Sequence, residues 1–400
     1  MRPLTIAIAG CGVAGLASAL LLGRQGHDVT VFERFALASP LGSGLMIQPT
    51  GLAVLRVLGL AEQLVANGAR IERLHGLSAA GRVVLDVRYG AQGFGTGVQR
   101  AALFDILYGA LQARGQVFET GREVVSSRLL PDGRRRLIFA GGEASSAFDL
   151  VVDAMGSSTP LATDPAPCLA YGALWASLDW PAGAGFLDNA LEQRYRRASQ
   201  MVGVMPTGPA PPRGVPGATF FWSVRLDRLE ALMRNGIAAW KAQVLELWPQ
   251  TGPLLDQIDS LDAMAVARYR HRKLKTPVAQ GQIHLGDAWR SSSPQLGQGA
   301  NMALLDAYAL SLALARHDNL GQALRGAIDL RRRHAWIYHA LSAIFTPVYQ
   351  SDGHILPFIR DRLIGPAAGA PLVSALQAAM VSGAIGAPLQ RLGLVKGKAA

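Results

Sequence analysis

Cysteine is all but missing from this chain: Cys11 and Cys168 are the two present in 400 residues. So sparse a pair offers neither a disulfide framework nor metal-ligand spacing, so no metal is expected, and it fits a reducing cytoplasm. Long apolar runs are missing too. A bilayer-spanning helix needs about 18 or more such residues. The nearest candidate, the charge-free stretch Leu363–Gln390, is broken by Pro366, Pro371 and Pro388. That stretch is expected to dock on the body of the protein or on a second subunit, as in a homodimer, with loose membrane contact as the alternative. The amino terminus runs straight into Leu4-Thr5-Ile6-Ala7-Ile8-Ala9, a strand pattern without the basic region and longer apolar core of a secretory signal.

Acidic residues are the scarcer charge: 28 Asp and Glu stand against 39 Lys and Arg, for a formal net charge of +11. The excess is mostly arginine in scattered clusters, such as Arg194 with Arg196 and Arg197, or Arg331, Arg332 and Arg333. No basic stripe is interleaved with aromatics, so solvated faces are expected and a nucleic-acid partner is not. Charged residues make up 17% and apolar ones 50%, a balance that excludes a disordered chain and supports a large core in two or three domains.

Residues 4–9, 15–25 and 28–32 read strand, helix, strand, with Gly26-His27 breaking the helix. This is one βαβ unit, which implies a parallel sheet and a right-handed crossover. A loop and short strand, Leu41 to Ile47, precede a helix around Leu52 to Leu58. Alternation near 71–77 and 82–87 suits an antiparallel sheet, and β-like stretches at 169–178, 200–205 and 218–225 continue it. A Pro/Gly loop runs from Pro206 to Gly217, and an amphipathic helix covers about 229–248. Segments near 123–129, 135–140 and 148–152 are expected to return the chain to the first sheet. Gly281 to Leu285 reads as a buried strand and 301–316 as a helix. The expected division is a nucleotide-binding unit of residues 1–70, 98–165 and 275–345. A mostly antiparallel unit of 71–97 and 166–274 is inserted into it, and a helical segment covers 346–400.

Two glycine-bearing segments carry the chemistry. In Gly10-Cys11-Gly12-Val13-Ala14-Gly15, Gly10 permits the tight turn, Gly12 lets the backbone approach a pyrophosphate, and Gly15 allows close helix–strand packing. The N–H groups of the helix start and its macrodipole favour the phosphate charge. Glu33 ends the second strand at roughly the 20-residue offset where a carboxylate accepts hydrogen bonds from a ribose. It argues against a 2′-phosphate there, although Arg34 beside it weakens that inference. The second segment is Gly286-Asp287-Ala288, followed by Pro294, Gly297, Gly299 and Asn301. Asp287 follows a buried strand, at the sheet edge where open α/β folds bind ligands, and the loop after it presents N–H groups at another helix start.

With these residues the chain resembles the class A flavoprotein monooxygenases, the aromatic hydroxylases related to p-hydroxybenzoate hydroxylase, over most of residues 4–345. The resemblance implies a Rossmann-like FAD-binding domain, an inserted, mostly antiparallel β substrate domain and a helical C-terminal tail, an α/β architecture. Gly10, Gly12, Ala14, Gly15, Glu33 and Arg34 fall on or beside the family's first FAD motif, and Gly44 on its glycine after the second strand. Arg100 matches the flavin-contacting arginine at a helix start; without the family it reads equally as a surface charge. Asp287 matches the aspartate that holds the ribityl chain, and Pro294, Gly297, Gly299 and Asn301 the loop flanking the isoalloxazine. The implied reaction has NADPH or NADH reduce the flavin, O2 add at its C4a carbon, and the distal oxygen of that hydroperoxide pass to an electron-rich ring. Substrate contacts are expected from Tyr171, Trp175, Met201, Met205, Phe220 and Trp222, and from Gln48; each is also readable as core.

Two departures stand out. Met155 in Val152-Asp153-Ala154-Met155-Gly156 occupies the place of the family's middle-motif aspartate, and a thioether cannot accept charge-assisted hydrogen bonds as a carboxylate does. Arg290 stands where many relatives carry histidine, and reads either as a phosphate-side or surface arginine or as an anchor for an acidic substrate. Met155 keeps alternatives open: a flavoenzyme of the same fold with another reductant or outcome, such as dehydrogenation or oxidative rearrangement, or a non-catalytic flavin-binding protein. A halogenase is disfavoured because no Trp-x-Trp-x-Ile-Pro segment is present. A plain NAD-dependent dehydrogenase would leave Arg100 and Gly286-Asp287 unexplained.

Overall fold

The computed structural model describes residues 1–37, 44–164, 166–209 and 214–395. The loop assignment for Leu41 to Ser43 and part of that for Pro206 to Gly217 lie outside the described residues. A six-stranded sheet has the order Val278–Ala279, Gln282–His284, Leu150–Asp153, Thr5–Ala9, Asp28–Phe32, Val117–Glu119, and all its pairs are parallel except the first. The helix Val13–Arg24 is buried from Ala14 to Leu22, on every side rather than on one face. Its Ala- and Leu-rich sequence suits that position, because it lies between this sheet and the helix Gly299–Arg316. The large core therefore gathers directly behind the first glycine turn.

A second sheet has seven strands in the order Ala265–Arg270, Cys168–Asp179, Pro216–Arg225, Gln200–Pro209, Ala190–Arg196, Arg73–Ser78, Val83–Arg88. It is antiparallel apart from the parallel pair Ala190–Arg196 with Arg73–Ser78. Pro206 to Pro209 and Pro216-Gly217 extend the strands on either side of the expected loop, pairing Pro206 with Ala218 and Thr207 with Gly217. One face of this sheet packs on the helix Leu229–Leu247, which is interrupted at Gly236 (φ +81°) rather than continuous. A small sheet of Leu45–Ile47, Gly95–Val98 and Ala69–Ile71 joins the two layers.

The strands Val124–Leu129 and Arg135–Phe139 do not enter the first sheet as expected. They form a hairpin of their own. Its single apolar face, Val124, Leu137 and Phe139, covers Phe32 together with Phe148, while Val125, Ser126, Arg128 and Leu129 stay exposed; a central parallel strand would need both faces apolar. At the carboxyl end the helix Leu320–Tyr349 runs straight through residue 345. No helix of the described residues is long and apolar enough to cross a membrane.

Candidate active site

The first turn is built around contacts that only glycine allows. Gly10 has φ +103°, and a Cβ there would lie 2.7 Å from the Ala154 carbonyl oxygen; on Gly15 it would lie 2.0 Å from that of Gly10. Gly12 differs: it is exposed, and an added Cβ would meet nothing within 4 Å. The open side of Gly12, at the N-cap of Val13–Arg24, fits the pyrophosphate of a dinucleotide. Ala14 is buried against the second segment, because a Cβ on Gly286 would come within 3.3 Å of its side chain. The two glycine segments, distant in sequence, are thus packed on each other.

Glu33 sits at the carboxyl end of Asp28–Phe32 and folds back over the turn, accepting from Cys11 N–H at 3.0 Å and Phe35 N–H at 3.1 Å. Burial and this carboxylate push the Cys11 thiol up to about 12, so Cys11 is an inert packing residue. Arg34 is exposed, its guanidinium 4.5 Å from the Phe35 ring centroid. Gly44 meets the second sheet instead, where a Cβ would fall 1.9 Å from Thr219 Oγ1.

Arg100, at the start of the helix Arg100–Gln112, and Asp287 are both open to water, although protein mass lies close around them. That surrounding mass raises the Asp287 carboxyl to about 6, against the pull of Arg100 and with a push from Asp306. Water reaching the carboxylate screens it, so the shift carries little folding energy. Arg100 is held below its ordinary value by burial, with Asp287 and Tyr269 opposing. Pro294, Gly297 (φ +60°) and Gly299, which follow Asp287 in sequence, are exposed. Asn301 is not: its amide accepts from Gln48 N–H at 2.8 Å and donates to the Met46 and Gly297 carbonyls. Its expected cofactor contact is therefore corrected to a clamp that shapes the loop. Gln48 is likewise buried, its Oε1 taken by the Tyr89 hydroxyl at 2.6 Å.

The second sheet divides the expected substrate residues by parity. Phe220 and Trp222 point with Ala218 and Val224 into the core against Leu229–Leu247, and Phe220 meets Trp240 edge-on at 5.9 Å. They are corrected to core residues, because period two sends neighbours to opposite faces. Tyr171, Trp175, Met201 and Met205 share the other face. Met201 and Met205 are buried there, and the Tyr171 hydroxyl donates to Asp352 at 2.6 Å. Trp175 is half-buried, lies 4.6 Å from the Phe221 ring and donates Nε1–H to the Tyr269 hydroxyl at 3.2 Å. Phe221 and Tyr269 were not anticipated; the signal was available in Phe221, the odd-numbered partner on a strand whose even positions are uniformly apolar. Gln99, beside Arg100, links Ser177 to Thr207 on the same face. Arg290 opens onto a groove beside the helix Leu320–Tyr349.

Residues 4–135 match the family described as FAD binding domain. The chain is 37% identical over 164 residues to 3-amino-4-hydroxybenzoate 2-monooxygenase of Streptomyces cremeus, covering 39% of this chain and 40% of that one. It is 25% identical over 386 residues to aurachin C monooxygenase/isomerase of Stigmatella aurantiaca, covering 90% and 94%. Over these stretches the chain is similar to FAD-dependent monooxygenases and carries an FAD binding domain. Its fold matches that of Klebsiella pneumoniae HpxO, solved with FAD and uric acid, with TM-score 0.79 at 17% identity over 95% of this chain and 97% of that one.

The middle motif is accounted for within its own sheet. Asp153 is fully buried and accepts from Met155 N–H at 3.0 Å, the Thr159 hydroxyl at 2.6 Å and His284 Nδ1–H at 2.6 Å. Both oxygens are engaged, so this acid does not stand in for the one that Met155 replaces. Met155 itself packs with Phe32, Phe139 and Phe148. Asp153 instead ties the middle strand to His284, three residues before Asp287.

For Asp287 the expected result is direct. Asp287→Asn keeps the shape and removes the charge-assisted acceptor, so FAD affinity should fall about tenfold or more. Flavin-to-protein ratio after gel filtration measures it, and an unchanged ratio would remove Asp287 from the binding set.

Proposed function

We propose that this monooxygenase hydroxylates an aromatic or similarly conjugated small molecule, with NADPH or NADH as reductant and O2 as oxidant. The observation that carries the reading is the aromatic wall of Trp175, Phe221 and Tyr269, with Arg100 within electrostatic reach of both Tyr269 and Asp287. A planar ring can stack or pack edge-on there, where Trp175 and Tyr269 are half-exposed. The relatives are named for aminohydroxybenzoate and aurachin chemistry, and the solved neighbour was crystallised with uric acid, which supports the same substrate class. Gly12, Glu33, Arg100, Asp287 and the Pro294–Gly299 loop would hold FAD, and FAD supplies the redox and oxygen-transfer chemistry when bound. Arg100 and the helix start at Gly299 favour negative charge gathered beside them. The Met46–Tyr89–Met205 cluster and the Trp175–Phe221 pair exclude water from the sheet side.

In this reading residues 71–97 and 166–274 form the substrate domain, and the enzyme works in the cytoplasm. Exposed Leu363, Leu372 and Leu376 favour a homodimer. The test is anaerobic mixing of FAD-loaded protein with NADPH or NADH, with and without aminophenols, hydroxybenzoates or hydroxyquinolines. An accepted substrate should speed flavin bleaching about tenfold, equal to about 1.4 kcal/mol of barrier. On admitting labelled oxygen, one atom should enter the product. Bleaching without labelled product would replace hydroxylation by dehydrogenation or rearrangement. No bleaching with either nucleotide would favour another reductant, the reading that Met155 motivates.

A further inference from the structure

Four arginines line one groove whose walls include neither Arg100 nor Asp287. Arg290 arrives from the strand after Gly286-Asp287-Ala288, and Arg332 and Arg333, with Trp336 one turn further on, from the helix Leu320–Tyr349. Arg391 closes the far side. With Asp329 they line a cavity of about 590 Å³, within the size range of small-molecule sites. A smaller hollow continues it past Arg316 and His317, sharing Asp329 and Arg391.

The charges here are poorly compensated. Asp329 pairs with Arg332 at 2.9 Å, whereas Arg333 and Arg391 have no ion pair with any described residue. Arg290 is the telling member. Its Nε and Nη1 are buried with no hydrogen-bond partner, and its guanidinium lies 5.3 Å from the Trp289 ring centroid. A guanidinium held beside a ring with two unmet donors is a costly arrangement for a merely solvated face. A phosphate would supply the missing acceptors, since planar guanidinium donors match its oxygens. Trp336, 55% exposed at the rim, offers a flat indole to a base.

We propose that this groove binds a phosphorylated adenine nucleotide, with its phosphates on Arg290, Arg333 and Arg391 and its base on Trp336. The nucleotide is either the adenylate half of a dinucleotide phosphate or a free nucleotide. The volume accommodates a mononucleotide, and the indole distinguishes it from bare phosphate.

Titration calorimetry on FAD-loaded protein tests this without confusion from the adenine site of FAD, using adenosine 2′,5′-bisphosphate, ADP and inorganic pyrophosphate. Arg333→Ala and Arg391→Ala should each weaken the bisphosphate about tenfold, and added salt should weaken it further. Trp336→Ala should weaken both nucleotides about fivefold or more and leave pyrophosphate unchanged, with Trp336→Phe restoring them. Retained flavin content confirms that each variant is folded. Bisphosphate binding that is absent, or equal in parent and arginine variants, overturns the site. Nucleotide binding unaffected by Trp336→Ala overturns the nucleotide. A second arm rests on the proposed oxidation of NADPH: competition by the bisphosphate against NADPH assigns the groove to the reductant, and binding without competition assigns it to a free nucleotide. The calorimetric arm needs no turnover, so it stands if the proposed reaction fails.

Discussion

Gly15→Ala should leave a protein that no longer retains FAD and that melts earlier even without it. The added Cβ would lie 2.0 Å from the Gly10 carbonyl oxygen and 3.3 Å from the Ile8 side chain, both on the strand and turn below. Neither can yield, because Ile8 is fully buried and Gly10 is fixed between the helix and Ala154. Overpacking of this kind costs about 1–3 kcal/mol, and contact with backbone puts it at the upper end. About 3 kcal/mol carried into binding is about a hundredfold in FAD affinity. Gly12→Ala is the control, since its Cβ meets no protein atom within 4 Å. It should weaken FAD while leaving the apo-protein melt unchanged. Flavin content and apo melting temperature measured on both variants decide the matter. A Gly15→Ala protein with the parent melt would show that the turn relaxes, and a Gly12→Ala protein with parent FAD affinity would show that the phosphate lies elsewhere.

That contrast between two glycines was only half legible in the sequence. The motif marked Gly10, Gly12 and Gly15 together, but which one faces protein and which faces ligand depends on Ala154 and Gly286, strands away in the chain. The same holds for the second sheet. Apolar β-like texture marks the strands over 169–178, 200–205 and 218–225, yet both neighbours in Phe220-Phe221-Trp222 are large and apolar. The uniformly apolar even positions from Ala218 to Val224 are the one local sign of which face meets the helix. Gly203 settles it in three dimensions, because its missing side chain makes room for the Phe221 ring, 1.9 Å from where a Cβ would stand. The hairpin at 124–139 reads as part of the first sheet for the converse reason: its residues pair with each other, and a two-strand ribbon has the same local pattern as a sheet strand. Asn301 and Asp153 carry side chains typical of ligand contacts, but their partners, Met46, Gln48 and His284, come from distant segments. Arg290 was readable as an anion-side arginine, and its neighbours Arg332, Arg333 and Arg391 became visible only when the long helix was packed beside it.

The largest loss of stability is expected from Asp306→Ala. Asp306 is buried in the helix Gly299–Arg316, with one oxygen accepting from Arg331 Nε–H at 2.8 Å and the other from Gly286 N–H at 3.1 Å. Arg331, 1% exposed, donates onward from Nη1 to His334 Nδ1 at 2.8 Å, and His334 Nε2–H donates to the Gly383 carbonyl at 2.9 Å. The chain of bonds fixes the Asp287 turn, both long helices and the carboxyl-terminal segment to one another. Removing the carboxylate leaves a guanidinium buried and unpaired, which costs about 3–5 kcal/mol. Asp306→Leu with Arg331→Met should recover most of that, yet FAD affinity should stay reduced because Gly286 N–H has lost its acceptor. Denaturant unfolding and flavin retention on the single and double variants separate the two effects, and a single variant within about 1 kcal/mol of the parent would refute the network's weight. The histidine adds a pH signature. Burial and Arg331 push His334 down to about 3, so it stays neutral in the folded protein while the unfolded chain takes up a proton near its ordinary value of 6.5. Unfolding free energy from this group therefore falls as pH drops from about 6.5 toward 3, by up to about 1.4 kcal/mol per pH unit. The Asp306 carboxyl, raised by burial, contributes the opposite sign. The difference between the parent and His334→Gln isolates the histidine: the variant should lose less stability over that acid range, and parallel curves would mean that the imidazole is charged in the fold.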